Sequence, residues 1–133
     1  MRVFLSFVMA LGLWGAVASA NQDDVKFVIE SQMEAFKADD MAGAFDFAAD
    51  GIQKVFGTAE RFGEMVRRGY PMVHRPDQVH LLERRQIGDV VWQKVLIRDG
   101  QGVLHLLDYE MRSGADGWRI GAVHLLQGAG VGA

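Results

Sequence analysis

The side chains of this 133-residue chain with the potential for chemistry are few: the doubled aspartate Asp39-Asp40, four histidines, and a tyrosine, Tyr109, in the second half. Adjacent carboxylates can hold a metal ion or divide acid and base roles. The surrounding stretch "FKADDMAGAFDF", Phe36 to Phe47, gives them another use. One apolar helical stripe ends at Phe36 and another begins at Met41, and an aspartate just ahead of a new stripe accepts hydrogen bonds from the free backbone N–H groups of its first turn. The spacing therefore favours capping by Asp40 over catalysis. The chain has no cysteine, which excludes a thiol nucleophile, zinc thiolates, disulfides and a cysteine-borne lipid anchor. Ser31 lies on a polar helix face and Ser113 in a turn, so no Ser-His-Asp triad is supported. His74 and His80 stand in no motif.

The elements that must position these groups follow from periodicity. Val25, Val28, Ile29, Gln32, Met33 and Phe36 form one face of a first helix, with Lys26, Glu30, Glu34 and Lys37 opposite. Gln32 is the one polar residue in the middle of that stripe and should point inward beside Phe36. Met41, Ala44, Phe45 and Ala48 predict a short second helix that stops near Asp50-Gly51. Thr58 caps a third, whose Phe62, Met65, Val66, Gly69 and Tyr70 face inward and which Pro71 ends. Four strands follow, Gln78–Ile87, Val90–Arg98, Val103–Arg112 and Trp118–Leu126, separated by Gly- and Asp-rich turns. Three helices and then four strands joined by short links is an α+β order with an antiparallel meander.

Alternation sets the inner face of that sheet. Pairing Ser113 with Trp118 across the last turn puts Met111 opposite Ile120, Tyr109 opposite Ala122 and Leu107 opposite His124, with His105 diagonal to His124 on the same face. Asp108, Glu110, Arg112 and Arg119 then share the solvent face. No carboxylate joins His105 and His124 on their face, so neither a metal site nor a cofactor is expected. Strand two is apolar on both faces, with Val91, Val95 and Ile97 on one and Val90, Trp92 and Leu96 on the other, so either the helix cover extends around the edge or a second subunit packs there.

The ends of the chain carry their own signals. Arg2, an apolar run from Val3 to Val17, Ala18-Ser19-Ala20 and then a polar stretch read as a secretory signal peptide at residues 1–20, too short for the ~20 apolar residues that cross a bilayer. A single domain at 21–127, a Gly-rich flexible tail at 128–133, and an exported protein, periplasmic or extracellular and not held at the membrane after cleavage, are expected. Acidic residues exceed basic ones, 17 to 14, and no basic run is longer than two, which argues against a nucleic-acid partner.

In the order of its elements, and most sharply in "DGWRIGAVHL", Asp116 to Leu125, the chain resembles the nuclear-transport-factor-like superfamily, which includes ketosteroid isomerases, scytalone dehydratase and polyketide cyclases. "QMEAFKADDMAGAFDFAADGIQKVFG" with "FGEMVRRGYP" resembles, within it, a family of exported bacterial domains of unknown function. The resemblance implies a cone: N-terminal helices packed in the concave face of a strongly bent four-stranded antiparallel sheet, enclosing a cavity that members use for catalysis, ligand binding or assembly. It also implies a homodimer. No local motif transfers a catalytic residue. The cavity candidates are Gln32, Phe36, Tyr109, His105, His124 and Trp118. The expected role is to bind a small apolar ligand or a protein partner. The alternatives are an isomerase, dehydratase or cyclase-like lyase, with His124 or His105 as base and Tyr109 as hydrogen-bond donor, and a structural module with a filled cone.

Overall fold

The computed structural model describes residues 13–126, with side chains from Asp24 onward. Five helices precede four strands: α1 (Leu13–Lys37), α2 (Met41–Asp46), α3 (Asp50–Phe56), α4 (Ala59–Gly69), α5 (Pro71–His74), β1 (Pro76–Ile87), β2 (Val90–Asp99), β3 (Leu104–Gly114) and β4 (Gly117–Leu126). The expected leader at 1–20 lies outside the described residues up to position 12, as does the expected tail at 128–133.

The stripe of α1 buries as its spacing dictates, with Val25, Val28, Ile29, Gln32, Met33 and Phe36 all in the interior. Beyond Lys37 the chain turns through Asp39, whose φ of 56° is left-handed and ends the helix. Asp40 then caps α2, its Oδ1 accepting from the Gly43 N–H at 3.0 Å. Thr58 caps α4 in the same way, accepting from the Arg61 N–H at 3.2 Å. A Cβ on Gly63 would lie 2.6 Å from the Met41 sulfur, so glycine at this point lets α2 and α4 meet.

Two helices go beyond the three expected. The segment that follows Ala48 and Ala49, Asp50–Phe56, forms α3, whose half-buried Ile52 and Phe56 are too few to make a readable stripe over seven residues. Tyr70, not Pro71, breaks the chain after α4, and Pro71 opens α5 at the first helical position, where its missing N–H costs nothing.

The sheet is antiparallel in the order β1-β2-β3-β4 and open at both edges, with the helices on one face. The inner row holds Val91, Gln93, Val95 and Ile97 of β2, Leu107, Tyr109 and Met111 of β3 and Ile120 of β4, all buried. Each edge strand carries a bulge. In β1 the register shifts twice, between Pro76 and Gln78 and between Leu81 and Arg84; at the second, buried Gln93 accepts from Arg84 Nε at 2.8 Å and donates to the Leu82 carbonyl at 2.9 Å.

The bulge in β4 corrects the expected register. Ser113 pairs with Trp118 and Met111 with Ile120, but Gly121 is then an extra residue, so that Tyr109 pairs with Val123 rather than Ala122, and Asp108 rather than Leu107 pairs with His124. The cause is a contact from the helical layer: the Ile120 N–H donates to the Phe47 carbonyl at 2.8 Å, and the Ala49 N–H donates to the Ile120 carbonyl at 2.9 Å. A Cβ on Gly121 would meet the Arg112 side chain at 3.1 Å and Glu110 Oε2 at 3.3 Å. One slipped residue exchanges faces from there on, which moves His124 outward.

Candidate functional site

Between the helical layer and the second half of β4 lies a pocket of about 280 Å³. Gln32 and Phe36 reach it from the buried stripe of α1, Ile52 and Phe56 from α3, and Phe62, Met65 and Val66 from α4. Tyr70 and Val73 close the α4–α5 side, and residues 120–123, the bulge and its flanks, form the sheet side. The Gly121 bulge thus shapes one wall. The aromatic wall is continuous: the rings of Phe36 and Phe62 lie 5.8 Å apart, and Phe56 meets Phe62 edge-on at 6.0 Å.

Among the described lining residues two side chains carry polar atoms, and both are anchored. Gln32 donates from Nε2 to the Ala44 carbonyl at 3.1 Å, tying α1 to α2. The Tyr70 hydroxyl donates to the Val123 carbonyl at 3.1 Å, tying the end of α4 to β4 beside the bulge. Among the described residues no Asp, Glu, His, Lys or Arg lines the pocket. The arrangement is suited to enclosing an apolar molecule and offers no carboxylate or imidazole for proton transfer.

Of the residues singled out by the sequence, the structure brings Gln32 and Phe36 into this pocket and places the other four elsewhere. Tyr109 is fully buried on the inner row, and its hydroxyl has no hydrogen-bond partner among the described residues. Burial pushes that phenol far above its ordinary pKa, with the nearby Tyr70 adding to the shift. His105 holds an inner-row register position opposite Ile97, but at the end of the ladder, where its Nε2 lies 2.9 Å from Asp99 Oδ2. That contact, followed by the Val103 N–H, holds the Asp99 carboxyl below its ordinary range. Trp118 is half-buried at the other end of the sheet.

His124 is exposed on the outer face, its ring 5.5 Å from that of Trp92. The outer face also holds Asp108, expected in solvent but only 8% exposed because Arg85 lies over it, with Nη2 at 2.6 Å from Oδ2. The four residues proposed with Gln32 and Phe36 thus do not converge. What sequence reasoning missed is Tyr70 as a site residue, together with Ile52, Phe56 and Val123. Tyr70 was legible as the last inward position of its helix, but nothing local indicated that its hydroxyl reaches β4.

A second, polar hollow lies between α2–α3 and the β3–β4 turn, with Asp46, Asp50 and Asp116 facing Arg112 and Arg119. Among the described residues no group of three or more His, Asp or Glu is placed to hold a metal ion, and no helix is long and apolar enough to cross a membrane. No curated protein and no solved structure matches the chain. A family model described as a domain of unknown function (DUF4864) matches residues 18–133, nearly the whole length, and the chain belongs to that family.

Proposed function

We propose that the protein binds a small apolar molecule in the pocket between α1, α3, α4, α5 and β4. The observation that carries this reading is the lining itself: a hollow of about 280 Å³ walled by aromatic and aliphatic side chains, with two polar side chains and none that is ionised at neutral pH. Such a volume lies near the lower end of the ~300–1,000 Å³ of small-molecule sites, which suits a compact ligand such as a fused bicyclic ring. The lyase alternative loses its support, since neither His105 nor His124 lines the hollow. A solid interaction module is disfavoured by the open volume.

The order of elements, the helices on one face and the bulged antiparallel sheet support a place in the nuclear-transport-factor-like superfamily. The apolar run ending in Ala18-Ser19-Ala20 supports export to the periplasm or beyond the cell. Half-buried Trp92, Leu96 and Leu106 on the outer face, which no described helix covers, support a homodimer, for which light scattering is the test.

Naphthalene is a suitable probe for the binding reading. At ten times its dissociation constant it should stabilise the protein by about 1.4 kcal/mol, a rise in melting temperature of several degrees. Val66→Phe, which fills the hollow, should keep the fold and lose that rise. An unchanged melting temperature of the wild-type protein at naphthalene saturation would count against the reading.

A further inference from the structure

We infer that the pocket selects uncharged aromatic molecules carrying one hydrogen-bond donor, of the phenol or indole class, and that Gln32 is the residue that reads the donor. This rests on the binding reading above and adds the chemistry of the ligand to it.

The two polar side chains differ in what they have left to offer a ligand. A carbonyl only accepts, so the 3.1 Å contact to the Ala44 oxygen fixes which end of the Gln32 amide is nitrogen. Oε1 is therefore the end turned away from Ala44, and it has no protein partner among the described residues. Gln32 is only 4% exposed and lines the pocket, so the unpaired end of its amide is what it has to offer a molecule bound there. Tyr70 has a single hydroxyl proton, and it is engaged by the Val123 carbonyl at 3.1 Å. Its oxygen can then only accept from a ligand. Both polar side chains thus present acceptors to the hollow.

An acceptor in an apolar enclosure favours a ligand that donates, because leaving Oε1 unmet against a bound hydrocarbon forfeits its hydrogen bonding to solvent. Charge is excluded on both sides. An anion would face acceptors with no Lys or Arg among the described lining residues, and a cation would lose its water with no carboxylate among them to replace it. The rings of Phe36, Phe56 and Phe62 favour a flat aromatic body. A neutral aromatic ring with one N–H or O–H meets all of these conditions.

Calorimetric titration of the protein with indole and with indene, the same ring framework with CH2 in place of N–H, tests the inference. Indole should bind about fivefold more tightly than indene, the value of one net hydrogen bond. In Gln32→Leu the two should bind within twofold of each other. Should that variant fail to fold, the side-chain amide resonances of Gln32 in the wild-type protein serve instead: they should move with indole and stay nearly still with indene. Equal binding of both probes to the wild-type protein would overturn the donor selection while leaving the apolar site standing. Preference for indole that persists unchanged in Gln32→Leu would overturn the role of Gln32. Binding of neither would defeat the site itself, and with it this inference.

Discussion

Arg75 grips Asp39 across 36 positions of sequence, its Nη2 lying 3.1 Å from Oδ1 and 3.2 Å from Oδ2. The same guanidinium donates from Nη1 to the Phe36 carbonyl at 2.7 Å. The end of α1, which carries Phe36 into the pocket, is thereby clamped to the end of α5. Asp39 is held in a left-handed conformation that costs a residue with a side chain about 1–2 kcal/mol. Its carboxylate also meets His74 Nε2 at 3.2 Å and Arg67 at 3.9 Å.

These partners hold the Asp39 carboxyl below its ordinary pKa, the contact from His74 foremost and Arg75 next. A lowered folded-state pKa contributes stability that is present above the unfolded value of ~3.9 and lost as pH falls through the folded value. Denaturant titrations between pH 6 and pH 3 should therefore show the wild-type protein losing more stability than Asp39→Asn. Parallel curves for the two proteins would mean that the clamp is not felt in solution.

Its neighbour has a different task. With Asp40 capping α2 through the Gly43 N–H, Asp40→Ala should lower the unfolding free energy by ~1 kcal/mol and Asp40→Ser should restore most of it. Naphthalene affinity should stay within twofold in both variants, because Asp40 does not line the pocket. Loss of affinity without loss of stability would bring the aspartate pair into the site after all.

Tyr109 presents the opposite case, a hydroxyl enclosed in the core with no protein partner among the described residues. An unmet buried hydroxyl costs about 1–3 kcal/mol, so Tyr109→Phe should be at least as stable as the wild-type protein and gain up to about 1 kcal/mol. A loss of more than about 1 kcal/mol on urea denaturation would show that the hydroxyl is hydrogen-bonded in solution.

Much of the fold was legible because its signals are local. The α1 stripe, the Asp40 and Thr58 caps and the Gly-Asp turns each fix an element from a handful of neighbouring residues. The β4 bulge was not legible, since its cause is the pairing of Ile120 with Phe47 and Ala49, a contact between distant segments. Ala122 and Val123 are both apolar, so alternation could not locate the extra residue, and the faces of His124 and Val123 were exchanged. In the site, Gln32 stood out as a polar residue in an apolar stripe. Tyr70 did not, because a tyrosine on an inward helix face reads the same whether its hydroxyl reaches a carbonyl of β4 or not.

A small apolar molecule is proposed to enter between the helices and the end of β4. Methyl-resolved NMR of the protein titrated with naphthalene tests it most directly. Saturable shifts are expected at Ile52, Val66, Val73 and Val123, which line the hollow, with Leu96 and Leu106 on the outer sheet face unmoved. Shifts centred on Leu96 and Leu106, or no saturable shift at any of these residues, would contradict it.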